Sequence, residues 1–337
     1  MNIVFVHLNT RIPLFLRNNI LDLKTKFPDK KIVLIHNLKQ KVQVKGAEIV
    51  YLSRNEEEEE MERKYGYPKD FRGNFWFSSL VRFSMLNRFI QNSLEPVLHI
   101  ESDILVARDF PFAKFDEIKN LLAFSIVSHQ RGISSLLFIN NEEGASKLWA
   151  YAMNMVNVNS LASDMEILFN FEKDFPQDVC KLPIAPSSLY IPDAFSLEEK
   201  EKNESRIMKF GGVFDGHDFG VFLGGTNPWN SFGISRLHTF IPESMLNFKI
   251  THLKFNSRRK FLDIKQEKGN LSVNLFSLHM TNKSSILFLF RTQSLALRSL
   301  THFPLRMMHK IIHPEVFIIM LYKFVLKRLK RVLKISE

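Results

Sequence analysis

The sequence predicts an α/β protein: a Rossmann-like sheet flanked by helices over residues 1–290, then a basic amphipathic helical tail over 291–337. Three observations carry this. The chain opens strand–helix–strand with short connections. Its composition, 45% apolar and 24% charged, is that of an ordinary globular protein. Its positive charge gathers at one end: of the net +11, +8 falls in residues 291–337, where ten Lys and Arg face only Glu315 and Glu337. A chain of 337 residues has room for one large core or two modest ones.

Residues 2–8 are apolar with little alternation, as in a strand buried on both faces. Pro13 opens a helix through Lys26, because Leu14, Leu16, Ile20, Leu21 and Leu23 recur near helical spacing. Residues 31–35 and 48–52 are the next two strands, and the short connections argue a parallel sheet with right-handed crossovers. The acidic run 56–60, with Glu62, reads as a solvated face or loop. Residues 75–92 predict a helix, 96–100 a fourth strand, 121–127 and 134–139 two more, and 142–155 and 161–171 two further helices. Residues 190–205 are polar and acidic and predict a surface loop. Gly, Pro and Asn crowd 211–230, an unusual density for a packed element.

The single cysteine, Cys180, excludes an internal disulfide and a cysteine-built zinc site. No basic region precedes the first apolar run, which predicts no secretory leader and a reduced, cytoplasm-facing compartment. The uneven charge argues against nucleic acid and directs the search for an anionic partner to the tail. The longest apolar stretch there, 316–322, is too short to span a bilayer.

The most informative segment is 95–106, where an apolar strand runs into Glu101, Ser102 and Asp103. In extended geometry that spacing puts both carboxylates on one side, and ligands of open α/β sheets collect at the carboxyl ends of strands. Two hard oxygen donors suit Mg²⁺ or Mn²⁺ carrying a diphosphate; the alternative is a pair of acids in a turn.

Glu101-Ser102-Asp103 in this setting resembles the Asp-x-Asp motif of GT-A glycosyltransferases, enzymes that use nucleotide sugars. Other segments are similar to that superfamily in the same order. They are 71–77 (FRGNFWF) with Val81-Arg82-Phe83, then 134–140 (SSLLFIN), Ser163-Asp164-Met165-Glu166, and 214–225 (FDGHDFGVFLGG) followed by Asn227-Pro228. His279-Met280-Thr281-Asn282-Lys283 resembles a late His-x-His-Ser-Lys motif of bacterial polysaccharide-type transferases. Together these marks cover roughly residues 2–285.

The resemblance implies a GT-A-type mixed sheet and a divalent metal, Mn²⁺ or Mg²⁺, held by Glu101, Asp103 and His279. It implies a nucleotide-sugar donor, a UDP-sugar favoured, and a glycan or lipid-linked acceptor. Lys283 would meet the diphosphate, Glu101 and Ser102 the nucleotide sugar, and His7 and Asn9 the base and ribose. Arg82 is a candidate sugar or phosphate contact, or else an ion pair. Asp164 is a candidate catalytic acid near donor and acceptor, or else a helix N-cap. Asp215 is the second candidate catalytic residue and, with Gly224 and Gly225, would border the acceptor, or else the glycines form a plain turn. His279 taken alone reads as a packed or surface histidine; beside Lys283 and the acid pair it reads as a ligand. The sequence departs from the pattern at Glu101, which replaces an Asp, and at Thr281, which replaces the second His.

In the tail, Lys323, Lys327, Lys330 and Lys334 recur at helical spacing, while Leu321, Phe324, Val325, Leu329, Val332 and Leu333 fall largely off that line. Such a helix suits an anionic membrane surface, here the inner face; the alternative is a helix capping the domain. Two rival functions stay open. One is a non-catalytic glycan- or nucleotide-binding protein on a degenerate scaffold. The other is a nucleotidyltransferase, ranked last because residues 9–13 lack a glycine-rich loop.

Overall fold

The structure, a computed structural model, describes residues 1–67, 74–191, 194–224, 245–247, 251–259, 261–266 and 272–280. Lys283, Thr281, Gly225, Asn227, Pro228, Phe71 and the whole tail lie outside the described residues.

The first half builds a sheet from β1 (Asn2–His7), β2 (Ile32–His36), β3 (Glu48–Tyr51) and β4 (Val97–Ile100), with α1 (Leu14–Lys26), α2 (Glu56–Lys64) and α3 (Phe75–Ser93) as connections. Then follow β5 (Ile104–Val106), α4 (Phe112–Asp116), the hairpin β6 (Leu122–Ser128) and β7 (Arg131–Ile139), α5 (Glu142–Val158), α6 (Asp164–Asp174) and β8 (Val179–Lys181). The last part holds α7 (Leu197–Phe210), β9 (Val213–Phe214), α8 (Asp218–Gly224), β10 (Thr251–Asn256), β11 (Phe261–Gln266) and β12 (Ser272–His279).

The large sheet has seven strands in the order β3-β2-β1-β4-β7-β6-β8. Its first four strands are parallel, as expected from the opening of the chain, but β7 runs antiparallel to both β4 and β6. The sheet is therefore mixed, because the tight connection from β6 to β7 can only return the chain antiparallel. Alternate residues of β1 face opposite layers: Val4 packs with α2, α3, α5 and α6, while Ile3 and Phe5 pack with α1 and α4. This is a helix–sheet–helix sandwich, and burial on both faces explains the apolar runs of β1 and β2.

A smaller sheet takes the order β10-β11-β12-β5, with β9 pairing β12. The chain leaves the large sheet at the end of β4 and enters the small one at β5, three residues later. Glu101, Ser102 and Asp103 are that crossing.

Three local expectations are corrected. The acidic run is not a loop but the helix α2, with Glu56, Glu57, Glu59 and Glu60 exposed as a solvated face requires; it is capped by Asn55, whose Oδ1 accepts from Glu58 N–H at 3.0 Å. Four glutamates in the first turn complement the positive end of the helix, and Glu58 is buried against Ser84 Oγ at 2.6 Å. Most of 190–205 is likewise helical: α7 starts at a Ser196 cap and ends at Gly211, whose φ of 79° is the left-handed stop. Only Asn203, Ile207 and Phe210 of α7 are buried, so its inward stripe is narrow and its composition polar. Within 211–230, β9 and α8 are packed elements as far as Gly224.

Candidate active site

The turn between the sheets brings the two acids together. Ile104 N–H donates to the Glu101 carbonyl at 3.1 Å, so residues 101–104 form a tight turn instead of the extended segment that the acid spacing implied. Asn19, a polar residue on the buried face of α1, ties this turn down. Its Nδ2 donates to the carbonyls of Ser102 at 3.2 Å and Ile104 at 2.7 Å. A single Asn on an apolar helix face was the sequence signal for this anchor, and the sequence reading passed over it.

The third member comes from the far end of the chain. Strand β12 pairs antiparallel with β5 in a register that sets His279 beside Ile104, and Met280 N–H donates to the Asp103 carbonyl at 2.9 Å. His279 Nε2 then lies 3.5 Å from Asp103 Oδ1 and 3.6 Å from Glu101 Oε2. One donor atom from each of the three falls within 4.8 Å of the others. His279 Nδ1 is 2.8 Å from the Gly216 carbonyl, which can only accept. That bond puts a proton on Nδ1 and turns Nε2 toward the acids.

Glu101 is shared between two tasks. Its Oε1 accepts from Arg82 and lies 3.1 Å from Ser134 Oγ, which leaves Oε2 facing His279. Arg82 Nη2 reaches on to Asp164 Oδ2 at 3.0 Å, and Ser134 Oγ is 3.2 Å from the same oxygen. Burial opposes charge on Glu101, but Arg82 and then His279 outweigh it and hold the carboxyl below its usual range. Burial also pushes Asp164 up, with Arg82 pulling against it. Burial opposes the His279 cation, but Asp103 and Glu101 prevail and raise its pKa to about 9.

Asp215 is fully buried. Its oxygens accept from the backbone N–H of Phe219 at 3.0 Å, Gly220 at 2.8 Å and His279 at 2.9 Å. Burial raises its pKa to about 6. The expected contact with an acceptor is corrected: no Asp215 oxygen is exposed, and the carboxylate anchors the start of α8 to the end of β12. Gly220 belongs to the same joint. A Cβ there would sit 1.6 Å from the His279 carbonyl oxygen, so only glycine fits.

Arg82 is corrected in the same way. Both terminal nitrogens of its buried guanidinium end on protein carboxylates, so the ion-pair alternative describes it, though the pair is buried and not on the surface. Asp164 is not the N-cap of α6. That is Ser163, in a reciprocal box with Glu166. Asp164 is 5% exposed and faces Arg82 and Ser134.

His7 is the last residue of β1 and Asn9 lies two residues beyond it, at the end of the first strand as expected. His7 Nε2 is 3.0 Å from Thr10 Oγ1. Asn9 takes a φ of 65°, accepts from Asn37 Nδ2 at 2.9 Å and donates to Ser78 Oγ at 3.0 Å, bracing the ends of β1 and β2 against α3. Ser102 is half-buried in the turn. Lys283 lies outside the described residues. Beyond these, Ser134 and His217, whose ring is 6.3 Å from that of His279, belong to the neighbourhood without having been singled out as site residues.

Two carboxylates and an imidazole, with one imidazole nitrogen held by a carbonyl, are a donor set that could hold a divalent metal ion. No protein-family model and no curated protein sequence matches the chain. Solved structures similar to it include the galactosyltransferase LgtC in complex with donor and acceptor sugar analogues. That match has 18% identity and a TM-score of 0.40, over 54% of this chain and 73% of that one. Another is mouse xyloside xylosyltransferase 1, with 8% identity and a TM-score of 0.37 over 62% of this chain and 92% of that one. A third is the glycosyltransferase GlyE of Streptococcus pneumoniae TIGR4, with 16% identity and a TM-score of 0.32 over 54% of this chain and 44% of that one.

Proposed function

We propose that the chain is a metal-dependent glycosyltransferase that moves a sugar from a nucleotide-sugar donor, a UDP-sugar favoured, to a glycan or lipid-linked acceptor. The observation that carries this reading is the meeting of Glu101, Asp103 and His279 where the two sheets join, at the carboxyl end of β4. Asp103, the Oε2 of Glu101 and the Nε2 of His279 would hold the ion. A divalent ion there supplies positive charge against the charge that builds on a departing diphosphate.

The chain's own groups do the positioning. Arg82 and Ser134 hold one oxygen of Glu101 so that the other faces His279. Asp164 holds Arg82, and Asp215 fixes the backbone of His279. His7 at the end of β1 and Asn9 just after it would meet the base and ribose. Lys283, a few residues past β12, is the expected cation for the diphosphate, on the resemblance alone.

The tail is proposed as an attachment to the inner face of a membrane in a cytoplasmic protein. Its +8 and its alternating apolar and basic faces support that reading. Among the described residues no helix is long and apolar enough to cross a membrane.

The test is release or transfer of sugar from a panel of nucleotide sugars, with Mn²⁺, with Mg²⁺ and with chelator. We expect turnover with at least one donor, abolished by chelator. Nucleotide binding without any turnover, even of slow hydrolysis, would leave a binding protein instead.

A further inference from the structure

Two stretches of the chain hold no acid at all: the one between Leu8 and Asp22, and the one between Asp29 and Glu48. The fold brings them side by side. Arg17 Nη1 donates to the Gln43 carbonyl at 2.8 Å, and Arg17 Nε to the Ile12 carbonyl at 3.4 Å. Both partners are neutral, so the Arg17 charge stays uncompensated. From 41 to 45 exposed and buried residues alternate: Val42 and Val44 point inward, while Lys41, Gln43 and Lys45 point outward.

The first stretch bounds a cleft of about 520 Å³, lined by Arg11, Ile12, Pro13, Leu14 and Arg17. It adjoins a second of about 330 Å³ that extends to Lys41 and Gln43. Among the described residues Arg11, Arg17, Lys39, Lys41 and Lys45 form no ion pair, whereas Lys64 of α2 and Lys202 of α7 pair within their own helices with Glu60 and Glu198. At the lip of the cleft Leu14 is 57% exposed.

The cleft is separate from the metal centre. Asn19 faces the Glu101–Asp103 turn, and Arg17, two residues earlier on α1, is turned about 200° away from it. It faces the side of the sheet that ends in the edge strand β3.

We propose that this rim is a docking surface for an anionic lipid bilayer, carried by the folded domain and independent of the tail. Arg11, Arg17 and Lys41 line the smaller cleft together, but Lys39 and Lys45 line neither cleft, so the charge runs on beyond any one pocket, which suits a field of headgroups better than a single phosphate. The exposed leucine among them suits the boundary between headgroups and acyl chains. A site for one small soluble anion would give Leu14 nothing to do.

The experiment uses the full chain with Lys323, Lys327, Lys330 and Lys334 replaced by Gln, so that the rim is read against a quieted tail. Binding is followed by sedimentation with vesicles of phosphatidylcholine, alone or mixed with phosphatidylglycerol. We expect this chain to bind the mixed vesicles at low salt and not the neutral ones. Adding Arg11→Glu and Lys41→Glu should weaken binding at least about 25-fold, from about fivefold per charge lost near the surface. The pair Lys39→Glu and Lys45→Glu should act in the same direction, and Leu14→Asn should weaken binding a few-fold with less dependence on salt. All are exposed positions, so an unchanged melting temperature accompanies the loss. Three results would overturn the proposal. One is sedimentation unchanged by both charge pairs. Another is no binding once the tail is quieted. The third is displacement from vesicles by inorganic phosphate at matched ionic strength, but not by chloride, which would mark a pocket for a single phosphate.

Discussion

The two sheets are built by different rules, and the candidate site lies where they meet. The large sheet grows from neighbours in sequence: β1, β2 and β3 follow one another and pair parallel in single steps outward from the centre. The small sheet is closed by β12 returning from the far end of the chain to pair with β5. The first supplies a rigid floor at the ends of β1 and β4. The second delivers His279 to acids that the first has positioned. Neither sheet alone makes the centre, so damage to either should read differently.

The largest effect is expected at the crossing itself. Asp103→Asn keeps the shape of the side chain and removes its charge, so transfer should fall by about 10³-fold or more while the circular-dichroism spectrum and melting temperature hold. Near-normal turnover would mean that Asp103 does not serve the diphosphate. Next is the joint that aims β12. Gly220→Ala forces a methyl into the His279 carbonyl, and we expect about 3 kcal/mol of lost stability in urea melts together with weakened metal binding. A fully stable Gly220→Ala protein would show that α8 and β12 do not approach as described.

A smaller effect separates the sheets. Arg259, between β10 and β11, forks onto Asp109 at 2.6 and 3.0 Å, pairs with Asp263 and donates to the Leu275 carbonyl at 3.0 Å. It clips the small sheet to the loop after β5. Arg259→Ala should cost about 2 kcal/mol, below the usual range for a broken buried pair because Asp109 is partly solvated. Hydrogen exchange should rise in β10–β12 more than in β1 and β2; an equal rise in both would make the molecule a single cooperative unit. The smallest change serves as the baseline. Lys202→Ala on α7 removes an exposed i,i+4 pair and should shift stability by less than about 0.5 kcal/mol in the same urea melts.

The same contrast explains what could be read from the sequence. Strands buried on both faces must be apolar throughout, so β1, β2 and β4 stand out as runs. The acid pair stands out because it ends such a run. By contrast β10 and β11 escaped notice, since Lys254, Asp263 and Lys265 interrupt their apolar pattern and Arg259 sits in the turn between them. Two of those charges are absorbed by the Arg259 clip, which local periodicity cannot reveal. The resemblance offered Arg82 as a sugar or phosphate contact, with an ion pair as the alternative, and Asp215 as a residue beside the acceptor. Their true partners, Asp164 and the N–H groups of Phe219, Gly220 and His279, are set by contacts distant in sequence. The helix α7 was missed for the opposite reason: its polar surface outweighs three buried positions.

The most direct measurement is calorimetry of UDP binding with and without Mn²⁺, on the full chain and on His279→Ala. If the two sheets meet to make one metal centre, Mn²⁺ should tighten UDP binding to the full chain. His279→Ala should lose most of that gain while keeping the metal-free affinity. Equal loss of affinity with and without the ion, or no gain from Mn²⁺ in the unaltered chain, would contradict it.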